Sequence, residues 1–117
     1  MILKDLGLVD YQATCDAMRS FTAQRDEHTQ DELWLVEHTP VFTQGLNGKD
    51  EHVLDSGDIP VIRTDRGGQV TYHGPGQLIA YTLFDLKRLN IGVREMVSRM
   101  ENSVINMLDD IGIKANA

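Results

Sequence analysis

A glycine-rich segment that contains a histidine is the part of the chain best suited to chemistry. Residues 66–77 read Arg-Gly-Gly-Gln-Val-Thr-Tyr-His-Gly-Pro-Gly-Gln, which places four glycines and one histidine within twelve positions. Glycine has no Cβ, so a Gly-Gly pair lets the backbone approach a ligand closely. The two-residue period of a strand puts polar side chains on one face, those of Gln69, Thr71 and His73. The pattern predicts one wall of a small-molecule pocket, and an ordinary Gly-rich hairpin turn is the open alternative.

Other familiar sites are not supported by the spacing of the residues. A phosphate-binding Gly-x-x-x-x-Gly-Lys-Ser/Thr motif is absent, and residues 74–79 begin like a dinucleotide fingerprint but have Ile79 in place of its last glycine. The histidines lie far apart, at His28, His38, His52 and His73. Without His-x-His or Cys-x-x-Cys spacing, we predict no metal site and no cofactor.

The one cysteine, Cys15, lies on the apolar stripe of a predicted helix that begins after Asp10 as its N-cap. Cysteine in such a position is usually a small core residue, and only a nearby base or cation makes it a good nucleophile. We therefore expect Cys15 to be a core residue. For His38 and Gly45 a turn is favoured over a pocket border, because Thr39-Pro40 interrupts the strand between them.

The remaining elements position the glycine-rich segment. Apolar patterns predict a buried strand over residues 33–37, short extended segments at 41–45 and 59–64, and a central strand over 78–84. The glycine-rich segment is then a hairpin arm between the last two of these strands, and residues 47–57 form a turn and an acidic loop. Residues 2–9 form either a strand or an irregular segment. The apolar stripe over residues 93–111 predicts a long helix that covers the sheet and ends at Gly112.

Composition indicates one soluble domain. The chain has 117 residues, is 41% hydrophobic and 25% charged, and has a formal net charge of -7. This charge argues against a nucleic-acid surface, and no apolar run is long enough to span a membrane. Two acidic clusters, around residues 26–32 and 50–58, are expected to be solvated loops. A single cysteine and the absence of a signal-peptide pattern predict a cytoplasmic protein.

The segment from Arg66 to Gln77, followed by Tyr81, resembles the signature of the lipoyl(octanoyl) transferases, the octanoyltransferases of lipoate biosynthesis. The surroundings are also similar, with Glu-His-Thr-Pro at residues 37–40 and Thr-x-Gly at 43–45 upstream. The resemblance covers essentially the whole chain. It implies an α+β fold like that of biotin and lipoate protein ligases, with a mixed central sheet packed by helices.

The resemblance also implies a reaction and its partners. Members of that family move an octanoyl or lipoyl group from acyl carrier protein to a lysine of lipoyl domains, through an acyl-thioester on a cysteine. The acceptors are the lipoyl domains of 2-oxoacid dehydrogenase complexes and the glycine cleavage H protein. The substrate-binding residues carried over are Arg66, Gly67, Gly68, Gln69, Val70, Thr71, Tyr72 and His73.

The resemblance places the nucleophilic cysteine and its lysine beyond Ala117, so we expect residues 1–117 to be the N-terminal portion of one catalytic domain, incomplete at the C-terminus. On this basis the chain itself carries no catalytic residue and is inactive alone. Two alternatives stay open. One is an ATP-dependent lipoate or biotin protein ligase, and the other is a module that binds an acyl group without catalysis.

Overall fold

The chain folds as an α+β protein with mixed sheets, which confirms the predicted fold class. Its computed structural model describes residues 1–46, 57–65 and 67–117. Within these ranges the elements are, in order, β1 (Ile2–Val9), α1 (Tyr11–Gln24), β2 (Glu32–His38), β3 (Val41–Gln44), β4 (Val61–Arg63), β5 (Val70–His73), β6 (Ile79–Leu83), α2 (Leu86–Leu89) and α3 (Val93–Asp110). The chain divides into two compact units, Met1–Leu83 and Phe84–Ala117.

The first sheet has β2 at its centre, paired in parallel with β1 and antiparallel with β6. Every second residue of β2 is buried, namely Glu32, Trp34, Val36 and His38. The prediction of a central strand over residues 78–84 is wrong, because β6 pairs only with β2 among the described residues and is an edge strand. An apolar run predicts a strand, but it does not show how many neighbours the strand has.

Helix α1 covers the buried face of β2, as its apolar stripe predicts. Asp10 is the N-cap, and its Oδ2 accepts a hydrogen bond from the backbone N–H of Ala13 at 2.9 Å. On the inner side of the helix, the Phe21 ring meets the Trp34 ring edge to face, with centroids 6.2 Å apart. These contacts fix α1 against the strand that carries His38.

Part of the first acidic cluster is buried, so the prediction of a solvated loop is wrong there. Glu32 accepts a hydrogen bond from the Trp34 indole N–H at 2.8 Å and pairs with Lys4 at 3.0 Å. These partners, Trp34 first, hold the pKa of Glu32 below its usual value. Asp31 is half-buried and pairs with Arg25 at 2.8 Å. The partners that compensate for the burial of these two carboxylates come from β1, β2 and the end of α1. Because these segments are separate in sequence, no local pattern predicts the pairing.

The second sheet has β3 at its centre, parallel to β4 and antiparallel to β5. Strands β4 and β5 therefore lie on opposite edges of β3. The prediction that the glycine-rich segment is a hairpin arm is wrong, because β5 pairs with β3 and not with the strands next to it in sequence. The predicted Asn47-Gly48 turn and most of the acidic loop lie outside the described residues, as does Arg66.

The second unit contains α2 and α3. Helix α2 is a single turn, capped by Asp85 and by Asn90 in the left-handed region. Helix α3 ends as predicted at Gly112, whose φ is 86°, with N–H bonds from Gly112 to Asp109 O and from Ile113 to Leu108 O. No residue of α3 is buried, so the prediction that its apolar stripe is core is wrong for this chain.

Across residues 1–46, 57–65 and 67–117, no helix combines the length and apolar composition that a membrane span requires.

Candidate functional site

Two histidines from different sheets meet where β2 passes into β3. His38 ends β2, and only Thr39 and Pro40 separate it from Val41, the first residue of β3. His73, the last residue of β5, is the register partner of Val41. The short connection therefore brings the His38 and His73 rings close together, with centroids 6.1 Å apart.

His38 is completely buried, and both of its ring nitrogens are hydrogen bonded. Nδ1 lies 3.1 Å from the carbonyl oxygen of Val9, and Nε2 lies 2.8 Å from the hydroxyl of Tyr81. Because a carbonyl oxygen only accepts, Nδ1 must carry the proton. In the neutral ring Nε2 then accepts from the Tyr81 O–H. Burial lowers the pKa of His38, with the nearby His73 ring adding to the effect, so the ring is neutral at neutral pH.

Two tyrosines complete a four-ring cluster, which we define as Tyr11, His38, His73 and Tyr81. Burial raises the pKa of the Tyr81 phenol well above its usual value, and Cys15 and Tyr11 contribute further. Tyr81 therefore stays a hydroxyl and a donor. Tyr11, the first residue of α1, stacks on His73 at a centroid distance of 6.0 Å and an interplanar angle of 11°, and meets His38 edge to face at 5.2 Å.

The tight turn after β5 is anchored to the end of β2. Gln77 N–H donates to Gly74 O at 3.2 Å, and Gly76 has a φ of 88°, as the third residue of a type II turn with Pro75 second requires. The Gly76 N–H donates to Glu37 Oε1 at 2.6 Å. At Gly74, an added Cβ would overlap the hydroxyl and ring of Tyr72. The turn therefore contacts Glu37 through Gly76 and Tyr72 through Gly74.

The predicted substrate-binding residues form an accessible surface next to the four-ring cluster. Gly67, Gly68, Gln69, Thr71 and Tyr72 are exposed, and Val70 and His73 are half-buried. Gly68 has a φ of 91°, which favours glycine, and an added Cβ at Gly67 would meet nothing within 4 Å. The Tyr72 ring packs on Phe42 at 5.3 Å, away from the cluster. His73 belongs both to this predicted set and to the cluster, through its ring contacts with Tyr11 and His38.

Sequence reasoning missed three of the four rings. His38 was expected to be in a turn, and Tyr11 and Tyr81 were given no chemical role. One signal could have found His38. Residues 34, 36 and 38 share a face of β2 by their two-residue spacing, and that face begins with the buried Trp34. Tyr81 is the register partner of Trp34, which could not be read before the pairing of β2 with β6 was known.

A cavity of about 90 Å³ lies between α1 and the end of β4, and its lining includes Tyr11, Cys15, Arg19, Arg63, Thr64 and Asp65. Cys15 is half-buried and contributes to this lining, so the prediction that it is a core residue is wrong. The buried residue of α1 is its neighbour Thr14, which lies on the same inward-facing stripe.

Two buried polar atoms near that cavity lack a hydrogen-bond partner among the described residues, Gln44 Nε2 and Thr64 Oγ1. The backbone of Thr64 donates to Gln44 O at 2.9 Å, so the two residues are neighbours at the ends of β3 and β4. Buried donors without partners are costly, and a ligand oxygen or a water that bonded them would be stabilising. In the described part of the chain, no three His, Cys, Asp or Glu side chains gather as metal ligands do.

A sequence model of the lipoyl protein ligase A/B catalytic domain matches residues 10–117. The chain belongs to this family. It is 59% identical to an octanoyltransferase of Aliivibrio fischeri over all 117 of its residues, which are 52% of that protein. It is 60% identical to an octanoyltransferase of Chromobacterium violaceum and 61% identical to one of Pseudomonas entomophila, in each case over 98% of this chain and 56% and 54% of those proteins. The chain spans about half the length of these relatives.

Proposed function

We infer that the chain is the N-terminal portion of an octanoyltransferase domain and supplies the surface on which the acyl group lies. The donor is octanoyl-acyl carrier protein, and the acceptors are the lysines of lipoyl domains, in 2-oxoacid dehydrogenase complexes and in the glycine cleavage H protein. The observation that carries this inference is the glycine-rich surface that ends at His73 of the four-ring cluster. Identity of about 60% to octanoyltransferases over the chain supports the acyl group as its ligand.

Each part of this surface has a role in the proposal. The backbone of Gly67 and Gly68 is open to solvent, so an acyl carbonyl can approach it closely. His73 is the titratable side chain at the end of this surface, and we assign it to proton transfer during acyl transfer. His38 has both nitrogens occupied, so its part is to hold Tyr81 and to pack against His73.

The acyl-thioester intermediate and its nucleophile belong to the proposal as well. A thiolate attacks an acyl-carrier thioester and receives the acyl group, and the carrier thiol leaves. We place this cysteine and its partner lysine beyond Ala117. Cys15 is not assigned to the role, because it lines the small cavity beside Tyr11 and is not part of the glycine-rich surface.

The test compares covalent loading with binding. The 117-residue chain and the full-length octanoyltransferase of Aliivibrio fischeri are incubated with octanoyl-acyl carrier protein, and intact masses are measured. We expect an octanoyl adduct on the full-length enzyme and none on the chain. An octanoyl-pantetheine thioester should still shift the amide NMR signals of Gly67, Gly68 and Thr71 in the chain. An adduct on Cys15, or no shift at these glycines, would overturn the proposal.

The role of His73 has its own test in the full-length protein that contains this chain. Loss of a general acid–base group lowers a rate by about 10²–10⁴-fold. We expect His73→Ala to slow octanoyl loading or transfer within that range. The matched control is His28→Ala, because the His28 side chain is 85% exposed and far from the cluster in sequence. Unchanged rates for both steps in His73→Ala would remove His73 from the mechanism.

A second candidate is an ATP-dependent lipoate ligase, because the matching family description names ligases. Such an enzyme would join the acid to AMP before transfer. The same full-length protein, given octanoate, ATP and Mg²⁺ in place of the acyl carrier, would then release pyrophosphate. Pyrophosphate release together with no loading from acyl carrier protein would favour the ligase over the transferase.

A further inference from the structure

The histidine assigned to proton transfer has a partner outside the predicted set of site residues. Nδ1 of His73 lies 2.9 Å from Oε1 of Gln77. An amide oxygen only accepts hydrogen bonds, so in this arrangement Nδ1 carries the proton. The neutral ring then presents Nε2 as its unprotonated nitrogen. A neutral histidine side chain in water prefers the opposite tautomer, with the proton on Nε2.

We propose that Gln77 is a positioning residue, whose side-chain oxygen holds the Nδ1–H tautomer of His73 and leaves Nε2 as the atom that accepts a proton. This inference rests on the proposed function for its place in the reaction. The geometry itself does not depend on which acyl group is transferred.

The turn after β5 makes this contact possible. Four residues of extended chain span about 13 Å, so residues i and i+4 of a strand do not touch. The turn at residues 74–77 reverses the chain and brings Gln77 back to His73. Glu37 clamps the Gly76 N–H at 2.6 Å and so fixes the residue before Gln77. The glycine-proline-glycine sequence therefore sets the hydrogen bond of the histidine that directly precedes it.

The neighbours of His73 fix the plane of its ring. Tyr11 stacks on one face of the ring, and His38 meets it at 6.1 Å with an interplanar angle of 62°. His38 cannot take over the role of Gln77, because Val9 O and the Tyr81 hydroxyl already engage its nitrogens. Among the described residues, Gln77 is the side chain that bonds the His73 ring.

The test reads the tautomer directly in the 117-residue chain. Two-bond ¹H–¹⁵N correlation spectra distinguish a protonated from an unprotonated ring nitrogen, and they are recorded at a pH where His73 is neutral. We expect Nδ1–H in the wild type. Gln77→Glu keeps an acceptor and should keep this tautomer, whereas Gln77→Leu removes the acceptor and should shift the tautomer ratio by roughly five-fold towards Nε2–H, the effect of one neutral hydrogen bond.

The two variants separate positioning from simple structural support. Gln77 is exposed, so both variants should fold, and circular dichroism checks this. The proposal is overturned by an Nε2–H tautomer in the wild type, by an unchanged tautomer in Gln77→Leu, or by the same change in Gln77→Glu as in Gln77→Leu. The octanoyl-loading experiment and these spectra are independent measurements. A negative loading result would contradict the proposed function and would leave the assignment of the His73 tautomer unchanged.

Discussion

The buried ring of His38 should make the stability of the protein sensitive to mild acid. Burial lowers the pKa of His38 from the 6.5 expected in an unfolded chain. Below pH 6.5 the unfolded state therefore binds more protons than the folded state, and the free energy of unfolding falls as the pH drops. The stabilisation that the neutral His38 ring contributes is complete above pH 6.5. It is lost as the pH falls towards the lower pKa of His38 in the folded state. The limiting slope for one group is about 1.4 kcal/mol per pH unit.

Urea denaturation at about pH 7.5 and about pH 5.5 measures this effect. We expect the wild type to lose more stability between the two values than His38→Gln, whose side chain does not titrate. Groups near the ring, Asp10 and His73, remain in both proteins. His28→Gln is the control and should keep the wild-type pH dependence, since its side chain is 85% exposed. Equal losses in the wild type and His38→Gln would contradict the prediction.

A second residue-scale prediction concerns the hydroxyl of Tyr81. Tyr81→Phe removes the donor that lies 2.8 Å from His38 Nε2 and leaves a buried nitrogen without a partner. Such a loss costs about 1–3 kcal/mol of unfolding free energy. Urea denaturation at neutral pH measures it. Tyr72→Phe is the matched control, because Tyr72 is 45% exposed, and it should change stability by much less. Similar values for the two variants would mean that the His38–Tyr81 bond contributes nothing.

At the scale of elements, local patterns predicted which segments are regular but not how they pair. The Asp10 cap, the stripe of α1 and the Gly112 end of α3 are determined by residues within a few positions of each other, and all three were predicted. The partner of β5 is β3, about thirty residues earlier, and the choice depends on contacts across the sheet. For the same reason the burial of Glu32 was missed, since its partner Lys4 lies on β1.

The clamp from Glu37 to the turn after β5 can be measured by hydrogen exchange. A carboxylate that accepts from a backbone N–H makes a stronger bond than a neutral group does. In Glu37→Ala we expect the Gly76 amide to exchange roughly ten-fold faster, the effect of losing one hydrogen bond of this strength. Glu101→Ala, at an exposed position of α3, should leave that rate unchanged. An unchanged exchange rate of the Gly76 amide in Glu37→Ala would show that the turn is stable without the Glu37 hydrogen bond.

The contact between Gly74 and Tyr72 predicts a coupled pair. An added Cβ in Gly74→Ala would overlap the Tyr72 hydroxyl and ring, so the ring must move off Phe42. Forced displacements of this kind cost about 1–3 kcal/mol. In a Tyr72→Ala background there is no ring to displace, and the cost of Gly74→Ala should fall. A double-mutant cycle of urea denaturation measures this coupling, and additive effects would contradict it.

At the scale of the whole molecule, the sequence alone indicated only part of the candidate site. Residues 67–73 are contiguous, and their glycines and histidine stand out by composition. Tyr11, His38 and Tyr81 come from α1, β2 and β6, and each has an ordinary structural explanation when it is considered alone. The pairing of β2 with β1 puts Val9 O beside His38, the pairing of β2 with β6 brings Tyr81 to the site, and the short step from β2 to β3 brings in His73.

The apolar face of α3 is the largest departure from the predicted core, and it has a consequence in solution. Six apolar residues along this face are exposed, Val93, Val97, Met100, Val104, Met107 and Ile111. Contiguous exposed apolar surface promotes association. We expect the sedimentation coefficient of the 117-residue chain to rise with concentration, and Val97→Lys with Val104→Lys to reduce this rise.

The control for that pair must add the same charge to another face of the same helix. Ser98→Lys with Asn102→Lys does so at two exposed positions, and it changes the net charge of -7 by the same amount. If association fell equally in both double variants, the loss of apolar surface on α3 would not be its cause. If the wild type did not associate at any concentration, this face would not mediate association. A fall confined to the valine positions would identify this face of α3 as the associating surface.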